Sequence, residues 1–142
     1  MTDPTAAAAP CPLYVDLDGT LTPTDTLHES ALLAVRRLRL DLLRLLAWLP
    51  LGKAGFKRRL ADTARPDPAT LPFNEDFLRF RRAEREKGRT LVLASAADVR
   101  VVREVADHLG LFDDVLGTDA QGPNLSRTHK REAIEAHARA QG

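Results

Sequence analysis

The stretch Leu13-Tyr14-Val15-Asp16-Leu17-Asp18-Gly19-Thr20-Leu21-Thr22 constrains the chain more than any other. An apolar run after Pro12, stopped by Gly19, predicts a short buried strand over residues 13–16. Residues two apart on extended backbone face the same side, so Asp16 and Asp18 point together at one place while Gly19 permits a sharp exit. Two like charges that close repel unless a cation compensates. A hard, oxygen-seeking ion such as Mg²⁺ suits the pair, since it takes a few carboxylates together with water and phosphate oxygens. One carboxylate is then able to attack a phosphorus atom while the other handles the leaving-group proton. A fixed Asp-x-Asp-Gly-Thr arises by chance about once in 10⁵ start positions, so a merely polar exit from a strand explains it poorly.

Behind this strand the pattern turns helical. Thr26-Leu27-His28-Glu29 has the form of a capping box. Leu38, Leu42, Leu45 and Leu49 recur at helical spacing, with Arg37, Asp41 and Arg44 opposite and Pro50 as the stop. A second helix is expected from about Lys53 to Ala64, and a third begins at Asn74, with Phe73, Phe77 and Phe80 on its inner face and Gly88 at its end. The periodicity then changes. Thr90 to Ala94 reads as a strand, the valines from Val99 to Val105 as a helix running to Gly110, Asp114–Thr118 as a third strand, and Thr128–Ala140 as a last helix. Strand, helical insertion, strand, helix, strand, helix is an α/β pattern with a parallel sheet. Ligands of such sheets bind beyond the carboxyl ends of the strands. Asp16 and Asp18, Ser95, and Thr118-Asp119 all fall there.

Composition excludes several alternatives. The 21 basic and 20 acidic residues are balanced, which argues against a nucleic-acid partner. The run from Leu38 to Leu51 is too short for a bilayer span, which takes about 20 apolar residues, and it carries charges. Cys11, the single cysteine, rules out an intrachain disulfide, points to a reducing, cytoplasmic setting, and is expected as a small buried residue. Residues 1–11 read as a flexible tail. His28, His108, His129 and His137 show no metal-ligand spacing and are expected on surfaces or helices. Trp48 and its neighbouring leucines are expected to form a core of their own among the inserted helices.

"DLDGTL" resembles the first motif of the haloacid-dehalogenase superfamily, "LVLASAAD" its second, and Lys130 after "GPNLSRTH" stands where the third would fall. The stretches "DLDGTLTPTDTLHES", "DPATLPFNEDFL" and "HLGLFDDVL" are most similar to the domain of this kind at the N-terminus of some bacterial UbiA-type prenyltransferases. The resemblance implies a Rossmannoid parallel sheet over residues 12–22 and 89–142, with a helical cap over 23–88. It implies Asp16 as the nucleophile that forms an aspartyl-phosphate, and Asp18 as the acid and then base. It also implies Ser95 on the phosphoryl oxygens, Lys130 balancing charge, Thr20 supporting the loop near substrate, and Mg²⁺ on the Asp16 carboxylate and the Asp18 backbone carbonyl. Arg127 and Arg131 compete with Lys130 for the charge role, while Lys57, Arg58 and Arg59 are candidates to meet an anionic substrate. A fourth motif, an acidic pair beyond a fourth strand, is absent before Gly142, which implies an incomplete core and an exposed edge at the first strand. Two expectations follow. One is an Mg²⁺-dependent phosphomonoester hydrolase or phosphotransferase acting on a phosphorylated small molecule. The other is a catalytically silent or truncated accessory domain associated with a membrane prenyltransferase.

Overall fold

The computed structural model describes residues 10–38, 42–119 and 121–141, without the side chains of 37, 38 and 42. Residues 1–9 of the expected tail and the Leu38–Leu42 part of the leucine stripe, with Arg37 and Asp41 opposite it, therefore lie outside the described residues or side chains. The element order is β1 (Leu13–Asp16), α1 (Thr26–Leu38), α2 (Leu42–Ala47), α3 (Gly52–Thr63), α4 (Glu75–Glu86), β2 (Leu91–Asp98), α5 (Val99–Leu109), β3 (Asp114–Thr118) and α6 (Arg127–Gln141). Among the described residues the three strands form one parallel sheet in the order β1-β2-β3. β2 is central because it is the most apolar strand: Leu91 to Ser95 are completely buried. β1 and β3 flank it in this three-stranded sheet. No described helix is long and apolar enough to cross a membrane.

Among the described residues, two apolar clusters hold the chain together. The first gathers Val15, Leu17, Leu21, Leu93, Val102 and Val105 around the sheet and α5. Leu71, Phe73, Phe77 and Leu78, from α4 and its approach, belong to the same cluster. The second is built from Ala34, Leu45, Leu60 and Ala64, with Trp48 and Phe56 packed against it, so Trp48 sits in the helical core foreseen for it. The inserted helices leave and rejoin the sheet at one place, where the Asn74 amide donates to the Leu21 carbonyl at 3.0 Å.

Local signals explain most element ends. Asn74 accepts from the Phe77 amide and caps α4, whose first turn carries Glu75 and Asp76. Asp98 caps α5 by accepting from the Arg100 amide. Several expectations are corrected. α1 is capped by Asp25, which accepts from the Leu27 amide, and the Thr26 hydroxyl is used elsewhere. α2 stops at Ala47 and Pro50 falls inside a tight turn over Leu49–Leu51, leaving Leu49 56% exposed. Phe80 is 52% exposed, because it and Phe77 flank the Arg81 guanidinium instead of both entering the core. Cys11 is exposed, since it lies before β1 begins. β2 runs to Asp98, four residues beyond the expected end.

That extension contains an irregularity. Ala94 pairs with Leu116 and Asp98 with Thr118, so four steps along β2 are matched by two along β3. The extra residues bulge out of register and re-aim Ser95, Ala96 and Ala97. Gly117 makes the adjacent close approach possible, because a Cβ there would stand 2.5 Å from the Val99 Cα.

Candidate active site

The turn after β1 is stapled from below. Leu17 and Leu21 are fully buried, the Leu21 and Thr22 amides both donate to the Leu17 carbonyl, and Gly19 takes a φ of 76° that favours glycine. With the leucines pulled into the core, Asp16 and Asp18 face a cleft of about 300 Å³ that opens at the carboxyl ends of the strands. Thr26, Ser30 and Lys57 from the helices, Asp98 at the end of β2, and Arg127 and Lys130 from α6 also line it.

The two carboxylates have opposite surroundings. Asp16 is 46% exposed and is met by the Lys130 ammonium at 2.8 Å. Asp18 is held by three neutral donors: the Thr26 amide and hydroxyl both reach Oδ1 at 2.9 Å, and the Ser95 hydroxyl reaches Oδ2 at 3.0 Å. Ser95 is itself fixed, accepting from the Ala97 amide at 3.0 Å. Lys130 is therefore the cation that α6 delivers to Asp16. Arg131 faces Glu135 instead, and Arg127 only lines the cleft.

The sequence named Lys57 and Thr118 near the site without their contacts, and it gave no site role to Thr26. Thr26 was legible only as a helix cap. Lys57 reaches from α3 across to the sheet, donating to the Ala96 carbonyl at 2.6 Å and to Asn124 at 3.2 Å. Burial holds its pKa below the ordinary lysine value, against the pull of Asp18 and Asp25. Thr118 donates to the same Ala96 carbonyl and accepts from the Leu125 amide, tying the loop before α6 to the bulge. The polar residue at the end of the third strand was the available signal. Arg58 and Arg59 are exposed and do not line the cleft. Thr20 is exposed and also lies outside the residues lining the cleft; the hydroxyl that ties the turn is that of the buried Thr22, which donates to Thr24.

His137 lies on α6, within what was expected of the histidines, and is also partnered on both ring nitrogens. Its ring is only 12% exposed and lies between Asp114 at 3.0 Å and the Tyr14 hydroxyl at 2.9 Å. A carboxylate only accepts, so Nε2 carries a proton toward Asp114, and Nδ1 shares the second hydrogen bond with the Tyr14 hydroxyl. This contact clamps the far end of α6 to the sheet, two turns beyond Lys130.

The donor chemistry of the cleft fits Mg²⁺ as a shared ligand. Asp16 is open and keeps an oxygen beyond the one facing Lys130, and Mg²⁺ is satisfied by one or two carboxylates plus water and phosphate oxygens. No cluster of three acidic or other ligating side chains occurs among the described residues, so an ion there would rely on Asp16, backbone oxygen and substrate.

The comparisons with known proteins agree in kind. The family model described as haloacid dehalogenase-like hydrolase matches residues 48–142, a span that includes Ser95 and Lys130 but begins after Asp16 and Asp18. An uncharacterized protein, y4nM, of Sinorhizobium fredii (strain NBRC 101917 / NGR234) is 36% identical over 124 residues, which cover 87% of this chain. The chain spans 24% of that relative's length.

Proposed function

This chain belongs to the haloacid dehalogenase-like hydrolases, and we propose that within that family it hydrolyses phosphomonoesters through an aspartyl-phosphate. The observation that carries this reading is the contrast between the carboxylates: Asp16 lies open beside Lys130, while Asp18 is gripped by Thr26 and Ser95. In the proposed reaction an Asp16 oxygen attacks phosphorus, the P–O bond to the alcohol breaks, and Asp18 gives a proton to the departing oxygen. Asp18 then takes a proton from a water that attacks the same phosphorus, which breaks the bond to Asp16 and releases phosphate. Lys130 offsets the charge that builds on the phosphoryl oxygens, while Ser95, completely buried and outside the residues lining the cleft, acts through its hydrogen bond to Asp18 and not on those oxygens as expected. Mg²⁺, held by the Asp16 carboxylate and the Asp18 carbonyl, would add further charge neutralisation there. The helices before α4, whose described residues carry the second apolar cluster, would act as the cap; α4 shares the cluster of the sheet, which supports a cap of about 23–64 within the expected 23–88.

Turnover of p-nitrophenyl phosphate with Mg²⁺ tests the reading. Wild type should release phosphate and yield an acid-stable phosphoprotein, and Asp16→Asn should abolish both. Turnover that persists in Asp16→Asn would show that the nucleophile is misassigned. A second reading rests on the 24% coverage of a longer relative: the chain is a silent accessory domain of a larger protein, which the UbiA-type resemblance of its sequence would make a membrane prenyltransferase. It predicts no turnover and no Mg²⁺ response in the signals of Asp16 or Lys130.

A further inference from the structure

A second pocket, of about 510 Å³, opens beside the carboxylate cleft and is larger than it. Leu27, Leu49, Phe56 and Ala96 supply its apolar lining, and Lys53, Lys57, Asn124 and Ser126 its polar side chains. The two spaces adjoin, with Leu27, Lys57, Ala96 and Ser126 lining both. Lys57 stands at the border. Its ammonium is tied to the sheet at Ala96 and Asn124, while its stem forms part of the partition.

We propose that this pocket is the leaving-group subsite and that the substrate is the monophosphate ester of an apolar alcohol several carbons long. The inference rests on the phosphatase reading above and adds the substrate class to it. A phosphoryl group seated on Asp16 and Lys130 has its ester oxygen near Asp18. The space into which that oxygen's carbon chain continues is walled by leucine, phenylalanine and alanine. A small or heavily hydroxylated alcohol would leave this wall in contact with water and most of its own hydroxyls without matching partners, since the lining is mainly apolar. Leu49, 56% exposed at the mouth, is covered once such a chain is in place.

A series of methyl, butyl and hexyl phosphate, kept below micelle formation and assayed on the full chain with Mg²⁺, tests the proposal. The three alcohols differ little as leaving groups, so kcat/KM reports the contact made by the chain. It should rise about three- to fourfold per added methylene, as burial of a CH₂ implies, until the pocket is filled. Phe56→Ala should lower the hexyl-to-methyl ratio at least tenfold. Because Phe56 also packs against the helical core, Leu49→Gln at an exposed position provides an independent variant and should lower the same ratio severalfold. Equal kcat/KM across the series overturns the subsite and leaves the phosphatase reading standing. A chain-length preference that Leu49→Gln leaves intact also overturns it. Turnover of none of the esters overturns the phosphatase reading, and the substrate class with it.

Discussion

The central strand and the inserted helices both furnish the cleft, but they are packed differently. β2 buries every side chain from Leu91 to Ser95, and the one polar member of that run, Ser95, has both its donor and its acceptor capacity used. The helices between β1 and α4 share a small core of alanines and leucines and leave Leu32 and Leu43 more than half in solvent. Dense burial fixes a side chain to fractions of an ångström, whereas a sparse core opens locally at low cost. The sheet is therefore the part that sets distances among Asp16, Asp18 and Ser95. The helices are a wall that can adapt, fastened to the sheet's chemistry through Thr26 and Lys57.

Substitutions on the two sides should separate these roles. Gly117→Ala drives a Cβ into Val99, and we expect a loss of about 1–3 kcal/mol, seen as a fall in melting temperature of roughly 4–10 °C. Thr26→Val removes the hydroxyl that holds Asp18 but leaves the sheet intact. It should lower kcat roughly tenfold, as loss of a hydrogen bond worth about 1.5 kcal/mol to a charged group implies, with KM little changed and Thr26→Ser restoring most of the rate. A change in KM alone would assign Thr26 to the wall and not to the acid.

Lys57 allows a test by pH. Burial lowers its pKa, so it sheds its proton before an ordinary lysine would as the solution is made alkaline. The KM for a phosphomonoester should then rise severalfold over that range in wild type, while Lys57→Arg, charged throughout, should show no such rise. Smaller still is the effect of the clamp at the far end of α6. The hydrogen bond from His137 holds the Asp114 carboxyl below its usual range, so its stabilisation is present above about pH 4 and is lost as acid drops through the lowered value. His137→Ala should flatten the acid limb of a melting-temperature profile by a few degrees. Leu43→Ser, at a side chain 74% exposed, should change stability by no more than about 0.5 kcal/mol. A larger loss would mean that the helical wall is packed more tightly than its exposure suggests.

The features legible in the sequence share a physical character. β1, β3 and the cap of α4 are written in runs of neighbouring residues, and Asp16, Asp18, Ser95 and Lys130 follow from those elements because parallel strands deliver their ends to one edge. What was hidden depends on contacts across long stretches of chain. Lys57 meets a carbonyl 39 residues away, and nothing near it in sequence distinguishes it from Lys53. Thr26 fits a capping box by composition, and only the folded turn reveals that Asp25 caps the helix while Thr26 reaches back eight residues to Asp18. The bulge in β2 is invisible because alanine and serine fit a strand and a turn equally well. His137 needed the register of α6 against both edge strands before its two partners could be named.

The hydrogen bond between the Asn74 amide and the Leu21 carbonyl has a consequence for how such a molecule can change over time. Everything between those residues departs from and returns to a single stem, so the segment can be lengthened, shortened or exchanged without re-threading the sheet. Thr26 and Lys57 travel with it, however. A transplanted insertion would bring its own grip on Asp18 as well as its own pocket, and inheritance of a new substrate would therefore also retune the acid that releases it.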